Sequence, residues 1–156
     1  MTSLSSMKNQ TNRRGCVVAL CISKQKHVAK TQVSSVYLKK NFGLEHDAHA
    51  GATHRQVSFL SDESILRMKK DGAIVSYGSF GENIVVKGFA WEELKVGDHL
   101  KIGAAAVVEV TQLGKECHAP CAISQQAGYC IMPVEGVFAR VITSGVVKTM
   151  DPIARI

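Results

Sequence analysis

The sequence predicts a mainly β domain with a few short helices, arranged as a β-barrel. Short apolar runs rich in β-branched residues recur along most of the chain, and glycine-containing turns separate many of them. Few segments have helical spacing, and many short strands with few helices are typical of barrels. No internal repeat or linker divides the chain. We therefore predict a flexible polar tail over residues 1–14 and a single domain over residues 15–156.

In the N-terminal half, apolar strands alternate with polar loops and one helix. Period-two or continuous apolar patterns predict strands over Cys16–Ile22, Gln32–Leu38 and Gln56–Leu60. The segment Gly43–Thr53 is rich in His, Asp and Gly and is predicted to be a loop.

A helix is predicted directly after the third of these strands. Ser61 can cap its first turn, and Asp71-Gly72 can end it. The spacing turns Ile65, Leu66 and Met68 inward.

The C-terminal half is predicted to contain more strands. A glycine-rich turn over residues 78–83 leads into a strand, a helical turn follows at Trp91–Leu94, and Val96–Asp98 forms a tight turn. Ala104–Leu113 alternates apolar residues and is predicted to be the longest strand, and Cys117–Ala127 to be a short helix. The remaining predicted strands are Ile84–Val86, His99–Ile102 and a closing hairpin of Gly136–Ile142 with Val146–Met150.

The chain is basic, with a net charge of +6 and a pI of about 9.2. A basic surface attracts anionic partners, among them nucleic acids, phosphate-bearing cofactors and acidic proteins. The lysines and arginines are scattered, and no aromatic residues are interleaved with them. We therefore expect no nucleic-acid partner.

The cysteines indicate a reducing compartment. Five cysteines are an odd number, and the sequence has neither a secretory signal nor an apolar run of membrane-spanning length. We expect a cytoplasmic protein with free thiols and no membrane partner. Cys16 and Cys21 lie in an apolar run and Cys130 has no motif around it, so we predict all three for the core.

The segment Gly114-Lys115-Glu116-Cys117-His118-Ala119-Pro120-Cys121 is the strongest chemical signal. A thiolate is a nucleophile and a soft metal ligand, and an adjacent His118 can lower its pKa or move a proton. Cys121 comes one helical turn later and either shares the site with Cys117 or is a small buried residue. A zinc site is the weaker alternative, because adjacent Cys and His are poor joint ligands.

Three motifs occur in the order found in one family. The first is Gly43-Leu44-Glu45-His46-Asp47-Ala48-His49-Ala50-Gly51, followed by His54-Arg55-Gln56-Val57-Ser58. The second is Gly78-Ser79-Phe80-Gly81-Glu82-Asn83-Ile84, followed by Val96-Gly97-Asp98. The third is the Cys117 segment, followed by Gly136-Val137-Phe138-Ala139-Arg140-Val141. Together they resemble the MOSC domain, which is named for the C-terminal domain of molybdenum cofactor sulfurases, in its short stand-alone bacterial form.

The resemblance implies a closed β-barrel of the MOSC, or pyruvate-kinase-barrel-like, type. It also implies binding of the molybdenum cofactor (molybdopterin) or its precursor, with handling of its sulfur or its delivery. In the larger sulfurases a separate pyridoxal-phosphate domain supplies sulfur. This chain has no room for that domain, so pyridoxal phosphate is not expected here. A sulfur-donor protein (a cysteine desulfurase) and an acceptor molybdoenzyme are the implied partners.

The resemblance also implies roles for the motif residues. Cys117 would ligate molybdenum through the cofactor or carry a persulfide, with His118 and Cys121 assisting. Arg55 and Arg140 suit phosphate, and a salt bridge from Glu82 to either arginine is the structural alternative. The remaining candidate cofactor-binding residues are Asp47, His49, His54, Gly81, Glu82 and Asn83.

One position departs from the family pattern. His46 stands where the family has Gly, which fits only if this backbone position does not require a positive φ. Two other functions stay open: a small molybdenum-cofactor-dependent reductase of N-hydroxylated compounds, and a non-catalytic partner-binding barrel.

Overall fold

The computed structural model describes residues 14–26, 28–51, 53–115 and 122–156. Across these residues the chain is mostly β, with three short α-helices and a closed seven-stranded barrel. The predicted fold class is confirmed.

The strands are short and follow most of the predicted apolar runs. Those before the first helix are β1 (Arg14–Ile22), β2 (Thr31–Val33), β3 (Ser35–Lys39), β4 (Gly43–Leu44) and β5 (Val57–Ser61). Those after it are β6 (Ile84–Lys87), β7 (His99–Ile102), β8 (Ala106–Leu113), β9 (Val137–Thr143), β10 (Gly145–Lys148) and β11 (Pro152–Arg155). With nine residues, β1 is longer than β8, which has eight, so the predicted longest strand is wrong.

Hydrogen bonding closes the barrel in the order β11-β7-β8-β9-β5-β6-β1, and β1 pairs back to β11. Most neighbouring strands are antiparallel, and β5 and β6 are parallel. A second sheet, β10-β3-β4, packs beside the barrel. Closure satisfies the backbone groups that an open sheet would leave at its edges.

Two predicted β elements are wrong, and for the same reason. The predicted strand Gln32–Leu38 is two strands, because β2 pairs with β1 while β3 pairs with β10. The predicted closing hairpin does not form either: β9 pairs with β5 and β8, and β10 pairs with β3. In both cases neighbouring strands separate into different sheets, and long-range pairing of this kind leaves no local sequence signal.

The helices are α1 (Asp62–Lys70), α2 (Ala122–Ala127) and α3 (Met132–Glu135), and Trp91–Glu93 forms a 3-10 turn. Ser61 caps α1 as predicted, since its Oγ accepts from the Ser64 backbone N–H at 3.3 Å. Ile65 and Met68 are buried as predicted, whereas Leu66 is 53% exposed, so its inward orientation is wrong.

The alternation of side chains along the strands creates two apolar layers. One fills the barrel and includes Val17, Phe59, Val108 and Ile153. The other lies outside the barrel wall, where Cys21, Leu60, Val85 and Phe138 pack with residues of α1 and α3. In the described part of the chain, no helix is long and apolar enough to cross a membrane.

A buried polar cluster as candidate functional site

A group of polar side chains lies at the edge of the outer apolar layer. Its fully or nearly buried members come from β5 and from the loops next to β1, β2, β4 and β6, and His49 is half-buried at its rim. We call it the polar cluster and define it as Ser23, Lys30, Asp47, His49, Ser58, Glu82 and Asn83. Buried polar groups are costly unless they are hydrogen-bonded, so such a cluster indicates a structural or functional requirement.

Asp47 is the centre of the polar cluster. Its Oδ1 accepts from the Lys30 ammonium at 2.7 Å and from the Ser23 backbone N–H at 3.0 Å. Its Oδ2 accepts from the Asn83 side-chain amide at 3.2 Å and from the His49 backbone N–H at 3.3 Å. One carboxylate therefore joins four separate chain positions, and both side chains of its ion pair with Lys30 are fully buried.

Asn83 connects the strands beneath the cluster. Its Oδ1 accepts from the Ser58 backbone N–H at 3.0 Å and from Ser58 Oγ at 3.1 Å. Its Nδ2 also donates to the Cys21 carbonyl at 3.1 Å. The amide thus bridges β5, the end of β1 and the Asp47 loop, which explains why an amide rather than a carboxylate occupies this position.

Glu82 is fully buried and only partly satisfied. Its Oε1 accepts from the Phe80 backbone N–H at 3.2 Å, whereas Oε2 has no hydrogen-bond partner within the described residues. Burial raises the pKa of this carboxyl to about 7, although backbone N–H groups and Lys30 oppose the rise. A buried carboxyl that titrates near neutrality is typical of functional sites.

Positive charge converges on His49. Its Nδ1 lies 2.8 Å from Lys30 Nζ. Burial lowers the pKa of this imidazole, and the charges of Lys30, Lys26 and Lys115 lower it further against the opposing effect of Asp47. The ring is therefore neutral at neutral pH while three cations lie around it.

Other predicted site residues gather at the end of β8. His54 Nε2 lies 2.7 Å from Gln112 Oε1, and the Gln112 amide donates to the Gly114 carbonyl at 2.7 Å. The Arg55 guanidinium lies over the Phe138 ring, 5.7 Å from its centroid. This strand end is where the chain enters the Cys117 segment.

Neither arginine pairs with Glu82, so that structural alternative is wrong. Arg140 Nη2 donates to Glu109 Oε2 at 2.9 Å across the β8–β9 pair, where both side chains are partly exposed. Arg140 and His54 line an open surface cavity of about 640 Å³. Gly81 lies in the turn before Glu82 at a φ of 78°, and its carbonyl accepts from Ser58 Oγ at 3.3 Å.

The predicted reactive residues Cys117, His118 and Cys121 lie outside the described residues, and their roles stay predictions. The described residues on either side are Lys115, whose backbone N–H donates to the Pro133 carbonyl, and α2. The thiols of the other cysteines differ: Cys21 is fully buried, while Cys16 and Cys130 are half-buried. The prediction that Cys16, Cys21 and Cys130 lie in the core is thus confirmed for Cys21, whereas the other two cysteines are partly exposed.

His46 adopts a φ of 69°, which is the left-handed conformation that favours glycine. The expectation that His46 fits only without a positive φ is therefore wrong, because this residue adopts the conformation that a glycine would provide. A non-glycine residue held at positive φ costs about 1 kcal/mol, and Asp47, which follows directly, is held by four hydrogen bonds.

Sequence reasoning missed Lys30 and Ser58. Lys30 was one scattered lysine among many, and its only local signal was a charged residue between two apolar runs. Its backbone packs against Gly78, where an added Cβ would lie 2.1 Å from the Lys30 carbonyl oxygen. That glycine belongs to the second motif. Its presence therefore reflects a contact with Lys30, which lies 48 positions earlier in the sequence.

The described residues contain no group of three or more His, Cys, Asp or Glu side chains placed to hold a metal ion. They do place hydrogen-bond donors and cations around His49, and a titratable carboxyl, Glu82, among the buried members of the polar cluster. This arrangement can bind an anionic, hydrogen-bonding ligand.

Comparisons with known proteins agree with this architecture. The family model of the MOSC domain matches residues 46–154. No protein of curated function matches the chain.

Solved structures with the same fold are similar at low sequence identity. The YuaD protein of Bacillus subtilis is 19% identical, with a TM-score of 0.73 over 90% of this chain and 94% of that one. YiiM of Geobacillus stearothermophilus is 21% identical, with a TM-score of 0.64 over 91% and 75% of the two chains. YiiM of Escherichia coli is 19% identical, with a TM-score of 0.62 over 90% and 69%.

Proposed function

Because the chain belongs to the MOSC domain family, we propose that it binds the molybdenum cofactor, molybdopterin, or its precursor, and handles its sulfur or its delivery. The observation that supports this most is the convergence of Lys26, Lys30 and Lys115 on His49. Lys115 is the last described residue before the Cys117 segment, so its effect on His49 links the two regions. An anionic ligand held there would be next to the one motif that offers a thiol.

The residues present fit such a group. A cofactor of this kind carries a phosphate and a polar pterin, and it supplies a metal that accepts sulfur ligands. Lys26, Lys115 and Arg55 offer positive charge for the phosphate, and the His49 ring offers an N–H. His54 and Gln112 offer further polar groups at the end of β8.

Glu82, Asn83 and Asp47 support the site from below. Their burial makes direct contact with a ligand less favourable than a role in fixing the loops that carry His49 and Gly81. Glu82 Oε2, which has no partner in the described part of the chain, is the group that a ligand N–H could still satisfy if the loop opens.

Cys117 is the proposed thiolate. It would either ligate the metal of the bound group or carry a persulfide sulfur, with His118 moving a proton and Cys121 acting as a second thiol. In the persulfide case a cysteine desulfurase must supply the sulfur and a molybdoenzyme must accept the product. Lys115, which precedes Cys117 by two positions in the sequence, would favour the thiolate form by its charge.

Binding is tested with released molybdenum cofactor under anaerobic, reducing conditions. After gel filtration, pterin fluorescence and molybdenum should elute with the protein. Lys115→Ala should retain at least about tenfold less cofactor, which corresponds to roughly 1.4 kcal/mol. Lys101→Ala is the matched control, because it removes the same charge from an exposed position on β7. Absence of pterin and molybdenum from the wild-type fraction would overturn the proposal in favour of a partner-binding barrel.

The thiol is tested separately. Cys117→Ser should abolish sulfur transfer or metal retention, because a hydroxyl is a poor soft-metal ligand and forms no persulfide. Cys16→Ser is the control. Cys16 lies on β1, and its Sγ donates a weak hydrogen bond to the neighbouring Val17 carbonyl at 3.7 Å. Full function of Cys117→Ser would contradict this assignment.

A further inference from the structure

Lys30 has an unusual environment for a lysine. Its side chain is fully buried, and its Nζ lies 2.7 Å from Asp47 Oδ1 and 2.8 Å from His49 Nδ1. Its backbone is fixed as well, because the Lys30 N–H donates to the Gly78 carbonyl at 2.9 Å. A buried lysine held at both ends is not a solvated surface charge, and it therefore requires a specific explanation.

The contact with His49 decides where the imidazole proton lies. An ammonium group has donors and no acceptor, so His49 Nδ1 can only be the acceptor of this hydrogen bond. A neutral imidazole carries one ring proton, which must then be on Nε2. Protonation of Nδ1 would bring two donors and two positive charges within 2.8 Å of each other in a half-buried site.

We propose that Lys30 is a positioning residue which, paired with Asp47, holds His49 as the neutral Nε2–H tautomer, so that the ring offers a hydrogen-bond donor to an anionic ligand. The tautomer assignment follows from the contacts alone. The identity of the ligand rests on the proposed function, and the experiments below separate the two.

The other charges around His49 act in the same direction. Lys26 and Lys115 also disfavour the imidazolium, and Asp47 opposes them. Asp47 Oδ1 is already used by Lys30 and Ser23. A neutral donor held by one ammonium group, in the field of two further lysines, can bind an anion without itself changing protonation state above neutral pH.

The first experiment is long-range ¹H–¹⁵N correlation NMR of the imidazoles in the wild-type protein, with His49→Gln used to assign the His49 signals. Between about pH 7 and pH 8, His49 should show an unprotonated Nδ1 and a protonated Nε2. An Nδ1–H tautomer, an equal mixture of tautomers or an imidazolium in this range would overturn the proposal. This measurement needs no ligand and no variant of Lys30.

The second experiment removes the positioning group. In Lys30→Met the tautomers should mix and the His49 titration should move to higher pH, since the nearest cation is lost. Lys115→Met is the matched control, because it removes the same charge and leaves the Lys30 contact with His49 Nδ1 in place. In this variant His49 should keep the tautomer of the wild type. If Lys30→Met folds and keeps the pure Nε2–H tautomer with an unchanged titration, Lys30 does not position the ring. If Lys30→Met does not fold, the wild-type spectra and the Lys115→Met control decide the question.

The third experiment tests the donor against the ligand. Released molybdenum cofactor should bind His49→Gln, which keeps a side-chain N–H donor, at least threefold more tightly than His49→Ala. Equal retention by wild type, His49→Gln and His49→Ala would overturn the donor role. If the cofactor binds none of the proteins while the wild-type spectra show the Nε2–H tautomer, the proposed function fails and the role of Lys30 in fixing the tautomer stands.

Discussion

At the scale of single residues, the polar cluster determines how stability depends on pH. Glu82 is fully buried, and its pKa is raised to about 7 from an ordinary value of 4.5. A carboxyl with a raised folded-state pKa binds more protons in the native state than in the unfolded state between these two values. The stabilisation from the protonated Glu82 carboxyl is therefore at its maximum below pH 4.5, and it is lost as the pH rises through 7.

We predict that Glu82→Gln removes this pH dependence. The glutamine stays uncharged at every pH. As the pH rises from 4.5 to above 7, the variant should therefore become more stable relative to the wild type, by about 3 kcal/mol of unfolding free energy. Urea unfolding at a series of pH values measures it. Glu92→Gln, at an exposed position, is the control, and parallel curves for wild type and Glu82→Gln would contradict the prediction.

Thiol reactivity is the second residue-scale prediction. Cys21 is fully buried and its pKa is raised to about 12, first by desolvation and then by the charge of Glu82. At pH 8 roughly one Cys21 thiol in ten thousand is ionised. We predict that limiting iodoacetamide labels Cys117 first and Cys121 second, and leaves Cys21 unmodified until the protein is denatured. Mass spectrometry of peptides identifies the sites, and preferential labelling of Cys16, Cys21 or Cys130 in native protein would refute this order.

At the scale of elements, α1 shows how a local signal specifies a boundary. Ser61 has an extended backbone, with φ −76° and ψ 134°, and its Oγ accepts from the Ser64 N–H while it donates to Glu63 at 2.9 Å. Charged side chains at both ends of α1 also interact favourably with the helix dipole. The first turn carries Asp62 and Glu63, and the last turn carries Arg67, Lys69 and Lys70.

We predict that Ser61→Ala lowers the free energy of unfolding by about 1 kcal/mol, since it leaves a first-turn N–H without its cap. Thermal or urea unfolding measures the loss. Ser61→Asp should restore most of it because aspartate is an equally good cap, whereas equal loss in both variants would show that the cap is not the cause.

At the scale of the whole molecule, stability depends on closing the barrel with its last strand. β11 lies between β1 and β7, and Ile153 is fully buried in the barrel interior opposite Gly15 and Ile102. Residues near the end of the chain thereby complete a sheet that begins at Arg14.

We predict that Ile153→Ala costs about 2–5 kcal/mol of unfolding free energy, because it leaves a cavity at this junction. Ile156→Ala is the matched control: that side chain is 68% exposed, so its truncation should cost less than about 0.5 kcal/mol. Equal effects of the two changes, measured by urea unfolding, would show that the junction does not limit stability.

Sequence alone predicted what depends on local pattern. Apolar runs and the turns that bound them predicted the positions of β1, β5, β7 and β8. The Ser61 cap predicted the start of α1, and the glycine turns with few helices predicted the fold class. The three motifs also predicted the family and drew attention to Asp47, His49, Glu82 and Asn83. These predictions hold because strands, caps and turns are encoded within a few residues of one another.

Only the tertiary structure decided which strands pair and which charges meet. It separated β2 from β3 and β9 from β10, because each takes a partner far away in sequence. It also places Lys30 against Asp47 and His49, which are 17 and 19 positions away in the sequence. One of many lysines is therefore the buried cation of the polar cluster. Periodicity cannot reveal such pairings, since the free energy of burial and of ion pairing depends on distance in space and not on distance along the chain.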